Sequence, residues 1–245
     1  MNIKRFIKIQ ISKLFRKNEN RFDHIISLGY NCEVTFRFLK YFDFEETSLF
    51  NWTYCRSIKD LINALDNFQL IGNGDFEYPN PLFECKNTHI RFHGKAGMDM
   101  YLNKTATEEQ LKQDKEDLIE RIEHFKDKFS EVLKSSNSKL YIYKIQSKDV
   151  NDEIKTKVEE LYEVLATLGG NNFKLLIVGE SCEKLEKLKN SATEKIIFRT
   201  VKYYANDDTV TDKKFFNNGW DNIYAEFWQK MPNNYKKKKK YKFEK

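Results

Sequence analysis

Residues 173–178 read Phe-Lys-Leu-Leu-Ile-Val, an almost unbroken apolar run between the Gly169-Gly170 pair and Gly179. A strand this apolar must be buried on both faces, as strands are inside a parallel sheet covered by helices. The rest of the chain supplies partners for it. His24–Leu28, Lys139–Ile145 and Lys195–Val201 are further apolar runs, and Ser48–Trp52 is another short one. Thr88–His93 is a candidate strand. Between them, Cys32–Tyr41, Ser57–Phe68, Asp152–Leu168 and Cys182–Lys189 read as helices, with Ser57 as an N-cap and Gly169-Gly170 as a stop. Thr107 and Gln110 form a capping box that opens a long helix reaching Leu133. Residues 220–230 form a last, aromatic-rich helix. This alternation predicts an α/β fold: a mostly parallel sheet with helices on both faces, three-layer and Rossmann-like.

Apolar residues make up 40% of the chain and aromatics 15%, enough to give residues 23–232 a core of their own as one domain. Residues 1–22 and 233–245 each carry a net charge of +6, which leaves the span between them at −6 against +6 overall. The folded body therefore lacks the basic stripe that nucleic acid would require, and no specific nucleic-acid partner is expected. Ile3, Phe6, Ile7, Ile11 and Leu14 follow one side of a basic amphipathic helix over 1–22, and Lys236–Lys240 open a lysine-rich, disordered tail. These ends suit an anionic membrane surface. No run approaches 18 apolar residues, and no apolar leader precedes the four scattered cysteines. The expected location is the cytoplasm, peripheral to the inner membrane face, with free thiols.

Ligands of parallel sheets gather beyond the carboxyl ends of the strands. That rule selects Gly29–Cys32, the loop after Trp52, Gln146–Asp149 and Gly179–Ser181. In Ser27-Leu28-Gly29-Tyr30-Asn31-Cys32 a strand turns through a glycine into a helix, with a cysteine at the helix start. Helix N-termini favour a thiolate, and their unpaired amides can hold an anion or a developing oxyanion. Cys32 is thus the candidate nucleophile, and Gly29, Asn31 and Ser27 line the anion site. Cys182, after Gly179-Glu180-Ser181, is second in line.

Among the four histidines, His24 lies at the wrong end of its strand and His124 on a charged helix. His93 is the better candidate base, with Asn51 or Asp99 to orient its ring. Cys85, His89 and His93 are spaced by four, but the β-rich sequence around them argues against a helical zinc site. No metal and no cofactor are expected. If the turn binds without reacting, the alternative is a non-catalytic protein of glycan assembly that holds an anionic ligand at Gly29–Cys32.

Three segments, Ser27 to Cys32, Ser48-Leu49-Phe50-Asn51-Trp52 and Phe92-His93, together resemble a bacterial family described as papain-like cysteine peptidases. Phe173–Val178 and the Trp220–Trp228 segment are similar to that family's late strand and C-terminal helix. The resemblance implies a hydrolase or acyl transferase with Cys32 as nucleophile, His93 as base and Trp52 in a supporting place. Its substrate would be a peptide, amide or acylated glycan, with a link to polysaccharide biosynthesis. Leu49 and Asn51 stand where the family has Pro and Asp, and Gly94 follows the histidine in place of an acidic motif.

Overall fold

The computed structural model describes residues 20–30, 32–42, 48–74, 76–77, 82–94, 105–190, 192–204 and 219–229. Of the amphipathic helix read over residues 1–22, residues 1–19 lie outside them and Arg21–Phe22 form a strand; the tail from 233 onward, Asn31 and Asp99 also lie outside.

Four strands form a parallel sheet in the order β2 (His24–Ser27), β7 (Lys139–Lys144), β8 (Phe173–Glu180), β9 (Ile196–Val201). Alternate residues of these strands enter two separate clusters. Ile26, Tyr141, Tyr143, Leu175 and Ile177 pack with helices α2 (Ile58–Asp66), α3 (Glu108–Lys134) and α4 (Ile154–Gly169). Ile25, Leu140, Ile142, Leu176 and Val178 pack with α1 (Glu33–Phe42) and α6 (Trp220–Glu226). The central strand is apolar throughout because both of its faces are covered. A short α5 (Glu183–Lys189) connects β8 to β9.

The helix boundaries follow their caps. Ser57 accepts the Asp60 amide at 3.2 Å, and Thr107 and Gln110 make both halves of a capping box. Gly170, at φ 73°, receives the end of α4.

The alternation does not run through residues 48–94. The Ser48–Trp52 run forms a turn, not a strand: the Asn51 amide donates to the Ser48 carbonyl at 3.2 Å and the Ser48 hydroxyl to Asn51 Oδ1 at 3.1 Å. A backbone turn bond reinforced by a side-chain bond between the same two residues takes the place of a ladder here. Beyond it lies a small antiparallel sheet in the order β3 (Thr53–Tyr54), β6 (Arg91–Phe92), β5 (Phe83–Cys85), β4 (Phe76–Glu77). Phe76, Phe83 and Phe92 point from it into the core, while Tyr54, Arg91, Glu84 and Glu77 pair in a row across its other face. The segment 86–89 is a turn, with His89 at φ 57°. The chain therefore combines a parallel sheet with an antiparallel one. Finally, β1 (Arg21–Phe22) pairs with β10 (Trp228–Gln229), joining the two ends of the described chain.

Among the described residues, no helix is long and apolar enough to cross a membrane.

Candidate active site

Leu28 continues β2 by donating to the Ile142 carbonyl at 2.9 Å, and the chain then leaves the sheet through two left-handed residues, Gly29 (φ 89°) and Tyr30 (φ 74°). The Ser27 hydroxyl accepts the Gly29 amide at 3.3 Å, so Ser27 secures the turn. A Cβ at Gly29 would lie 3.0 Å from Thr53 Oγ1 and 3.3 Å from Cys55 Sγ. Thr53 cannot easily yield, since its hydroxyl donates to the Phe50 carbonyl at 3.1 Å. Gly29→Ala should therefore lower stability by about 1–3 kcal/mol through backbone strain and the clash. Urea unfolding measures it; an unchanged midpoint would mean that the turn can relax.

Tyr30 carries the second left-handed conformation without glycine's freedom. Its ring lies 5.8 Å from the Tyr54 ring, the Lys144 ammonium lies 4.8 Å from its centroid, and its amide bonds the Cys55 thiol. Burial pushes that thiol up to about 12, against the opposing effect of the amide, so Cys55 is a protonated core residue.

Cys32 caps α1, with its carbonyl accepting the Phe36 amide at 2.9 Å. Its side chain is half-buried, and its Sγ lies 3.7 Å from His93 Nε2. The topology brings the two together from a separation of 61 residues. His93 follows β6, and Arg121 of α3 donates to its carbonyl at 2.5 Å. Asn51 is buried in the 48–52 turn, and its carbonyl accepts the Thr35 hydroxyl of α1 at 2.8 Å. Trp52 meets Phe36 of the same helix edge-on at 5.2 Å. Asn51 and Trp52 thus bind the 48–52 turn to the helix that carries Cys32.

The other candidates lie elsewhere. Cys85 is buried, and His89 Nδ1 lies 3.2 Å from Glu84 Oε1. Among the described residues, no three His, Cys, Asp or Glu side chains converge as metal ligands. Cys182 is exposed at a cleft of about 600 Å³ lined by Ser147, Glu180 and Lys184. The Gln146–Asp149 loop serves the fold: Gln146 Nε2 donates to the Cys55 and Arg56 carbonyls, and Asp149 accepts the Ile58 amide at 3.2 Å, capping α2.

The buried charges next to Cys32 were not evident from the sequence. Glu33, immediately after Cys32, is buried in an ion pair with Lys144 and accepts the Trp220 indole N–H at 3.0 Å. Arg37 Nε lies 3.9 Å from the same carboxylate. Lys144 also lies 4.1 Å from the Tyr204 ring centroid. The signal for this was Lys144 itself, a charge at the end of an apolar strand that burial obliges to find a partner. Nothing in the sequence singles out Arg121.

Comparison of the chain with protein-family models, with curated proteins and with solved structures finds no match.

Proposed function

We propose that this protein is a cysteine-dependent hydrolase or acyl transferase acting on a peptide, amide or acylated glycan. The observation that carries the reading is the 3.7 Å approach of Cys32 Sγ to His93 Nε2 at the start of a helix. His93 Nε2 takes the thiol proton, and the sulfur attacks the acyl carbon. The amides of the first helical turn face the oxygen where charge develops. The amide or ester bond then breaks, the leaving group takes the proton from His93, and a thioester remains on Cys32. Water, or an acceptor hydroxyl or amine, gives up a proton to the same imidazole and releases the acyl group. Such chemistry is that of papain-like cysteine peptidases, which the segments Ser27 to Cys32, Ser48 to Trp52 and Phe92-His93 resemble. A three-layer, Rossmann-like description of the parallel sheet accompanies it, supported by the two core clusters on alternate residues of its strands.

Iodoacetamide labelling with mass-spectrometric mapping tests the reading. A thiolate held by a histidine and a helix N-terminus should make Cys32 react about tenfold faster than a free thiol at neutral pH. Exposed Cys182 serves as the internal comparison. His93→Ala should remove the difference. Labelling of Cys32 no faster than Cys182, and indifferent to that substitution, would count decisively against the enzyme. An anion-binding protein without catalysis would instead keep its function in Cys32→Ser.

A further inference from the structure

The polar face of the small antiparallel sheet leads to the reactive pair. Arg91 opens β6, and His93 follows the end of that strand two positions later. Arg91 is registered opposite Tyr54 on one side and Glu84 on the other. The guanidinium of Arg91 lies 5.9 Å from the Tyr54 ring centroid, and the Tyr54 ring reaches Tyr30, two residues before Cys32. Cys32 and His93 are thus each connected to Arg91 by a short chain of contacts.

One carboxylate serves three bases on this face. Glu84 accepts Arg56 Nη2 at 2.5 Å and Arg91 Nε at 2.7 Å on one oxygen, and lies 3.2 Å from His89 Nδ1 with the other. Burial alone would raise the Glu84 carboxyl, but the hydrogen bonds from Arg91 and His89 and the two guanidinium charges outweigh it and hold it below the ordinary glutamate range. Glu84 is therefore ionised, and it neutralises only one of the two arginines. Each arginine gives it a single nitrogen, while the Arg56 and Arg91 side chains stay 46% and 27% exposed. The second acid of the row, Glu77, lies on β4, at the end away from Tyr54. A pair of guanidinium groups fixed by a shared carboxylate is preorganised for an anion, because little side-chain freedom remains to be lost on binding.

We propose that Arg91 and Arg56 form a subsite for an anionic group, a carboxylate or a phosphate, on the acyl substrate of Cys32. The proposal rests on the reading of Cys32 as nucleophile and adds to it the charge of the substrate. The two are separable by experiment. Reactivity toward neutral iodoacetamide tests the nucleophile; the ratio of iodoacetate to iodoacetamide rates at Cys32 tests the subsite. Relative to a neutral free thiol, that ratio should rise about two- to tenfold at low salt, the sign expected for a positively charged subsite. It should collapse toward the free-thiol value in about 1 M salt, where screening is nearly complete.

Arg91→Gln should lower the ratio, and Arg56→Gln provides the same reading should the first variant fail to fold. Inorganic phosphate and acetate at matched ionic strength then distinguish the sources, since the anion that fits should slow labelling of Cys32 in the unmodified chain. A ratio equal to that of the free thiol, or one that both substitutions leave intact, overturns the subsite whatever the iodoacetamide rate.

Discussion

Lys144→Ala is expected to destabilise the protein by about 3–5 kcal/mol, because it leaves a carboxylate buried without its counter-charge. The Glu33 side chain is 2% exposed and that of Lys144 1% exposed, so water cannot replace the lost ammonium. Trp220 still donates to the carboxylate and Arg37 remains an ion-pair partner at 3.9 Å, but neither replaces the close, hydrogen-bonded ion pair that Lys144 provides. The lysine also fills the space between the Tyr30 and Tyr204 rings, and that packing goes with it. Such a loss is a large share of the roughly 5–15 kcal/mol that holds an ordinary domain together. Glu33→Gln combined with Lys144→Met removes that pair while keeping most of the volume, and should recover only part of the loss, because Arg37 then loses its carboxylate partner. Urea unfolding of the two variants decides the matter. A single substitution costing under about 1 kcal/mol would place the pair in the class of hydrated surface bridges.

Phe129→Ala should cost a similar amount, about 3–5 kcal/mol, by a different mechanism. Phe129 is 1% exposed, and three rings from three parts of the chain surround it. Phe50 of the 48–52 turn meets it edge-on at 5.3 Å, Phe68 lies at 5.7 Å, and Tyr141 of β7 at 6.4 Å. Removing the ring leaves a cavity that four separately anchored segments cannot close together. Phe129→Leu retains much of the volume and should lose far less. The same pair of variants reports on the site, since Phe50 is the neighbour of Asn51. If Phe129→Ala unfolds at the parental midpoint, the four segments do close over the gap.

The apolar runs and helix caps were legible in the sequence because each is a local signal. Thr107 with Gln110 and Ser57 with Asp60 act within one helical turn, and periodicity places the strands that flank them. The pairing of Cys32 with His93 was legible as a candidate, since a cysteine after a strand–glycine turn and few histidines leave little choice. The antiparallel sheet was not. Its strands span only two or three residues, too short for alternation to register, and they are set by cross-strand partners distant in sequence. The same holds for Ser48–Trp52, whose apolar content suggested a strand while Ser48 and Asn51 closed a turn. Glu33 was passed over because a glutamate in a first helical turn is ordinarily a solvated complement to the dipole. Its burial follows from Lys144 and Trp220, which come from β7 and α6.

The clamp on α1 has a bearing on biosynthesis. Tyr224 donates to the Val34 carbonyl at 3.0 Å and Trp220 to Glu33, while Arg21 and Phe22 pair with Trp228 and Gln229. The helix bearing Cys32 leaves the ribosome early, but two of the side chains that hold it, Trp220 and Tyr224, emerge near the end of the described chain. A nascent or prematurely terminated chain lacks these two anchors and the pairing of β1 with β10, so α1 is held less firmly until translation has passed residue 229.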